Sequence, residues 1–320
     1  MAAFFVVLGD ALAAGADLGA QPAAAPVFAS LPAVDGLNGK AEFFGGATNF
    51  YNYDIYNPTT FNPPFSYRSA WRGDGGGLGT VTFPLQHDFG VQVDSILAEW
   101  NNRFLGGGGA HLFWRDPSQG LIGVYGSGTY WSGANGVGIG RAAGELEGYI
   151  GRITVQGVVG GEFGGRSAVA SSAFGVSPFG NAYLGFNWYD LHTRIYDHAS
   201  IAYYLTDDIK LSVGHIYTGG RSAATVGGEM RLPVSFYRGA AATAFVEGRI
   251  GEHNADSIQG GLRIYFGNSD KTLIRRQRED DPTNYLKDNL FTLSNSQRTG
   301  AILLPKSSSP SPPPYYCCYY

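Results

Sequence analysis

The stretch Gln259-Gly260-Gly261-Leu262-Arg263-Ile264-Tyr265-Phe266, QGGLRIYF, decides how the rest of the chain is read. With the preceding Ile258, the residues Leu262, Ile264 and Phe266 share one face of an extended segment, while Gln259, Arg263 and Tyr265 share the other. Period-two alternation of this kind makes a β-strand with one oily and one polar face. Such a strand suits a soluble sandwich, and it equally suits a wall between lipid and water. The remainder of the chain has to choose between them.

Composition favours the second. The chain has 320 residues, of which 48 are glycine and only 15% are charged, against roughly 25% in soluble domains. Aromatic residues make up 14%, yet mean hydropathy is only -0.10. Strands that are apolar on one face only, joined by polar loops, produce this mixture. No run reaches the ~18 apolar residues of a membrane helix. Net charge is -4 with no basic stripe, so nucleic acid is not an expected partner. The only cysteines, Cys317 and Cys318, cannot build a disulfide scaffold or a structural zinc site.

Between residues 38 and 267, strand-like segments follow one another: 38–48, 77–85, 89–100, 104–115, 120–131, 136–150, 152–164, 180–190, 195–206, 209–218, 223–232, 239–251 and 255–267. Their lengths match a tilted membrane crossing of about 9–11 residues better than the 5–6 of soluble sheets. In 152–163, Ile153, Val155, Val159 and Phe163 oppose Arg152, Thr154, Gln156 and Glu162. These thirteen segments exceed an even number by one, and a closed antiparallel bacterial barrel takes an even number. The expectation is therefore a transmembrane antiparallel β-barrel of twelve strands, within a range of ten to fourteen. One segment is therefore to be omitted, and the two candidates for omission are 38–48, for the long loop 49–76 after it, and 104–115, for its four consecutive glycines.

The order of Gln259, Gly261, Ile264 and Phe266 resembles the assembly signal on the closing strand of bacterial outer-membrane β-barrels. The resemblance covers residues 38–267 and implies an integral protein of the Gram-negative outer membrane, porin-like, with lipid and the barrel assembly machinery as partners. The segment ADLGAQPAAAPVF resembles the leader-proximal region of alphaproteobacterial barrel proteins. Residues 1–16 read as an incomplete signal peptide, with an apolar core but no basic leading region. Residues 17–37 are Ala/Pro-rich and read as a flexible N-terminus. Residues 268–320 begin with a charged run, which reads as a solvated extension rather than a pore cap, and end in low-complexity sequence.

Candidate chemistry lies on the polar face. Asp94, Arg141, Glu145, Glu147, Arg152, Glu162, Glu229, Arg231, Glu247, Arg249 and Arg263 are expected to line the lumen and pair across strands. Such a set either selects small polar solutes at a constriction or fills and stiffens the barrel. Aromatics near strand ends, Trp100, Trp131, Tyr149 and Tyr189 among them, read as membrane-interface girdles. No histidine sits at a metal-ligand spacing, and no nucleotide motif fits, so neither metal nor cofactor is expected. The chain is not expected to be an enzyme. Its one enzymatic alternative is a lipid hydrolase using His198 and Ser200 on the barrel exterior. A further alternative to the pore is a non-conducting structural barrel that acts through its loops, 49–76 above all.

Overall fold

A computed structural model describes residues 31–55, 65–164, 168–176, 182–234, 240–267 and 270–304. The strands are β1 (Asn38–Ile55), β2 (Phe65–Pro84), β3 (Phe89–Trp100), β4 (Arg103–Asp116), β5 (Gly120–Trp131), β6 (Val137–Ile150), β7 (Ile153–Phe163), β8 (Ala168–Val176), β9 (Ala182–Tyr189), β10 (Arg194–Thr206), β11 (Ile209–Thr218), β12 (Arg221–Arg231), β13 (Ala241–Gly251) and β14 (Ser257–Phe266). Helices α1 (Leu273–Glu279) and α2 (Asp288–Ser296) follow, then β15 (Gln297–Leu303).

Twelve strands close into an antiparallel barrel in the order β1-β14-β13-β12-β11-β10-β7-β6-β5-β4-β3-β2. The sheet is sealed where β1 meets β14, from Gly39 opposite Phe266 to Thr48 opposite Ser257. At this seam Gly261 faces Phe44, and a Cβ on it would collide with the backbone of Phe43 and Phe44. The glycine of the closing-strand pattern thus has a steric reason to be there.

The alternation read from sequence becomes an inside and an outside. Along β3, Gln92, Asp94, Ile96, Ala98 and Trp100 are buried in the lumen, while Phe89, Val93 and Leu97 are exposed. On β14, Ile258, Leu262 and Phe266 point outward, and Gln259 and Tyr265 inward. Large apolar side chains such as Phe43, Leu146, Val155, Val159, Val213 and Ile250 cover the outer surface. In water such a surface would be an unmatched apolar patch, whereas facing lipid it is the ordinary outside of a membrane barrel. Among the described residues no helix is long and apolar enough to cross a membrane.

The strand number is as expected, but the segment left out of the barrel is a different one. Both 38–48 and 104–115 belong to the barrel. The four glycines of β4 pair in full with β3 and β5, and Gly107 leaves room that Thr129 fills. The displaced segment is 180–190. Its strand β9 pairs with β8 and β15 in a separate three-stranded sheet, and β7 passes directly to β10. At eight residues β9 is short for a crossing. The expected loop 49–76 is largely strand as well: β1 and β2 pair without a break up to Ile55 opposite Phe65.

The barrel has a near end, where β1 begins and β14 finishes, and a far end. Two-residue turns occur at both ends, Gly151–Arg152 and Asp207–Asp208 at the near end and Asn101–Asn102 and Gly219–Gly220 at the far end, and the longest near-end connection is residues 232–240. The far end carries the longest connection, residues 164–193, which contains the β8–β9 hairpin. Ala33 and Val34 are buried at the near end, where Val34 packs on Phe113 and Leu121, so the last residues of the supposedly flexible N-terminal stretch belong to the fold. Residues 1–30 and 305–320, and with them the leader and both cysteines, lie outside the described residues.

Candidate functional site

The lumen is occupied by the chain's own continuation. After β14 the backbone turns back into the barrel, and most of the charged run expected in solvent is buried, with Arg275 left exposed. Lys271 and Arg276 are each 1% exposed and Asp280 is 1% exposed. The physical reason is a set of wall charges that the run matches, which no local reading of residues 268–300 can reveal.

At the near end, Lys271 pairs with Asp280 and with Asp35 at 2.7 Å. The backbone N–H groups of Leu273 and Ile274 donate to Asp208 and Asp207 in the β10–β11 turn, each at 3.0 Å. Gln277 bridges Tyr204 and Glu229. Deeper in, Thr82 donates to Asp281 and Arg115 donates to the Asp280 carbonyl. Tyr285 lies against the rings of Tyr125, His111 and His198.

The ionic centre is built from two adjacent residues of this segment. Lys287 reaches Glu42 at 2.7 Å and Glu247 at 2.8 Å. Asp288 accepts from Arg249 at 2.8 Å, and from His198 and Tyr196 at 2.9 Å each. On the wall beside them, Arg263 holds Glu42, Glu229 and Glu247, each at 2.6 Å. Three carboxylates around one guanidinium leave an excess of negative charge, which Lys287 and Lys210 offset, the latter 3.4 Å from Glu229. Buried charges are tolerated when paired in this way, and removing one partner typically costs about 3–5 kcal/mol.

Toward the far end the contacts become apolar. Leu286, Leu290 and Leu293 are fully buried in one cluster with Trp100, Trp131 and Tyr189. The three aromatic rings meet edge to face at 5.0, 5.2 and 6.3 Å. Each leucine contributes on the order of 1.5–3 kcal/mol by leaving water. Trp100, Trp131 and Tyr149 are thus buried on the inner face rather than in an interface girdle, and Tyr189 of β9 is buried against the two tryptophans, whereas Tyr130, Tyr203 and Phe266 do point outward.

Most of the expected lumen charges are where the alternation puts them. Arg141 pairs with Glu162 at 3.0 Å, and its guanidinium also reaches the Tyr285 carbonyl and Thr292 of the inserted segment. Asp94 and Glu145 flank the ring of buried His111, at 2.9 and 2.8 Å, an arrangement that suits an imidazolium donating from both nitrogens. Glu147 accepts from Tyr149 at 2.7 Å. Arg152 is a correction: it sits in the β6–β7 turn, half-exposed, and pairs with Asp207 at 2.9 Å, because β6 ends at Ile150 and β7 begins only at Ile153. Arg231 lies at the near rim and approaches Asp208 at 3.6 Å.

Glu42, His111, Lys210, Lys287 and Asp288 were not singled out from sequence. Glu42 and Lys210 lie on the inward face of β1 and β11, a signal that alternation carries; Lys287 and Asp288 carry no comparable mark. His198 and Ser200 face the lumen, so the exterior geometry imagined for a lipid hydrolase is absent. Beside the inserted segment a polar cavity of about 140 Å³ remains, lined by Gln156, His198, Lys210, Glu247, Arg263 and Asn284 among others. Among the described residues no group of three or more His, Cys, Asp or Glu is placed to hold a metal ion.

No family model matches the chain, and the search of curated proteins found no match. Solved structures similar to it include an outer membrane channel from Pseudomonas putida F1, 9% identical over 76% of this chain and 98% of that one, with a TM-score of 0.43. A FadL homologue from Pseudomonas aeruginosa is 10% identical over 73% of this chain and 91% of that one, with a TM-score of 0.32. The toluene transporter TodX of Pseudomonas putida is 10% identical over 75% and 92%, with a TM-score of 0.36. The barrel's own geometry is the firmer ground. An even-numbered, closed antiparallel barrel with an apolar outside and a polar inside is the architecture of the Gram-negative outer membrane, and that is the membrane this chain spans.

Proposed function

We propose that the chain is a porin-like transport barrel for small polar solutes that its own C-terminal segment holds shut. The observation that carries this is the pairing of Lys287 and Asp288 with Glu42, Glu247 and Arg249 across the middle of the lumen. With the segment in place, a polar cavity of about 140 Å³ remains beside it. With it withdrawn, the wall would present Glu42, Glu229, Glu247, Arg249, Arg263 and their neighbours to water, a lining that favours polar and charged solutes over apolar ones.

The rest of the reading follows from the same assignment. Residues 1–16 would serve as the export leader, and Gln259, Gly261, Ile264 and Phe266 would be read by the barrel assembly machinery. The alphaproteobacterial source suggested by the Ala/Pro-rich opening belongs to this proposal, as does the absence of enzymatic activity.

Planar-bilayer recording tests it. The full chain should insert without discrete conductance steps, and a chain ending at Gly267 should give steps while still migrating as a heat-modifiable barrel. If the shorter chain does not fold, Asp288→Lys with Lys287→Glu in the full chain is the second route, since it turns both central pairs into repulsions. Identical conductance with and without these changes would overturn the proposal.

A further inference from the structure

The inserted segment does more than enter the lumen. It starts at one end of the barrel and leaves at the other. Its first contacts are with Asp35, before β1, with the Asp207–Asp208 turn, and with the start of β7, where Arg278 donates to the Ile153 carbonyl at 2.8 Å. All of these lie at the near end. Its middle meets Glu247 and Arg249, halfway along β13. Its last helical residues reach the opposite mouth: Asn295 donates to the Thr218 carbonyl at 3.0 Å in the β11–β12 turn, and Ser294 to the Asn49 carbonyl at 2.8 Å. The Ser296 carbonyl then accepts from the Asp190 N–H at 2.8 Å. Beyond it, β15 runs antiparallel to β9, from Gln297 opposite Tyr189 to Leu303 opposite Tyr183. Strand β9 belongs to the far-end connection, so β15 is already outside the barrel on that side.

Sidedness follows from connection length. Barrels place short turns on the periplasmic side and long loops on the extracellular side. The far end carries the long connection 164–193, whereas no near-end connection exceeds residues 232–240, so the far end is assigned to the outer face and the near end to the periplasm. We infer that the barrel is threaded by its own chain, which passes through the lumen and delivers β15 to the outer face of the membrane. β15 then acts as a clasp: once paired with β9 it keeps the chain from sliding back. The apolar cluster of Leu286, Leu290 and Leu293 with Trp100 and Trp131 seals the mouth around it. The proposal concerns topology and holds whether or not the barrel ever conducts, so it stands or falls separately from the pore reading.

The native cysteines provide the test, because Cys317 and Cys318 are the only ones in the chain and both follow Leu303. Intact cells producing the full chain are treated with a membrane-impermeant reductant and then with a maleimide carried on a polymer too large to pass porins. The expected result is a mass shift on intact cells equal to that in lysed cells. In a Cys317→Ser, Cys318→Ser background, Ile302→Cys in β15 should label on intact cells, and Asp207→Cys at the near-end turn only after lysis. The Ile302→Cys variant keeps the answer readable if the end of the chain is clipped. Labelling of Cys317, Cys318 and Ile302→Cys only after lysis, in a heat-modifiable barrel recovered from the outer membrane, would overturn the inference. Absence of the barrel from that membrane would sink it together with the proposed function.

Discussion

The closing strand β14 and the segment that follows it, residues 271–296, are neighbours in sequence and opposites in how they are held. β14 has one face in lipid and one in the lumen, and two strands hydrogen-bond its backbone along its length. The inserted segment has no sheet partner until β15. Most of it is enclosed by the inward faces of the strands, and it is held largely by side chains, Lys287, Asp288 and the leucines of α2 among them. Backbone pairing writes itself into the local sequence as period two. Side-chain complementarity to a distant wall does not, and this is why the two regions differ in legibility as well as in structure.

The sharpest way to separate them is to damage the seam. Gly261→Val places side-chain atoms where the Phe43 and Phe44 backbone runs, so the barrel should fail to close and the heat-modifiable band should be lost altogether. A normal band would mean that the seam tolerates what the geometry forbids. Damage confined to the inserted segment should be smaller and should spare the wall. Asp288→Ala leaves Arg249 buried without its carboxylate and should weaken docking of the segment by roughly 3–5 kcal/mol, with the barrel intact. Susceptibility of residues 271–296 to protease in the purified protein would report it. Restoration of protection by Asp288→Leu with Arg249→Met would locate the effect in the unpaired charge.

On the outer wall, Val155→Arg should cost roughly 2–4 kcal/mol if it sits near mid-bilayer, and Gln156→Arg on the lumen side much less. Equal folding yields in lipid vesicles would contradict the inside-outside assignment. The smallest effect concerns pH at the near-end mouth. Burial pushes the Asp280 carboxyl up to about 6, with Lys271 beside it acting in the opposite sense. A free aspartate titrates near 3.9. The docked state therefore binds the proton more tightly than the released one, so docking is strongest below about pH 4 and weakens as pH rises through 6. The loss should be on the order of 1–3 kcal/mol. Asp280→Asn should flatten this slope, and an unchanged slope would assign the titration to another group.

What was legible followed from strand parity. Phe266, Leu262 and Ile258 facing out, and Gln259 and Tyr265 facing in, needed only alternation. The same parity already placed Trp100 with Gln92 and Asp94 on the inner face of β3, although position near a strand end suggested an interface girdle. Strand identity was harder. Residues 180–190 look like any other aromatic-rich strand, because alternation reports that a strand has two faces and is silent on which sheet it joins. The charged run after Phe266 was the least legible region. Lys287 and Glu42 are separated by 245 residues, and nothing near either of them announces the other.

Amide hydrogen exchange of the purified full chain in detergent tests the central claim most directly. Residues 285–296 should be protected to the same order as β14, since they are enclosed by the barrel and no less buried. Exchange in that stretch as fast as in an unstructured peptide, with β14 still protected, would mean that the lumen is not filled by its own chain.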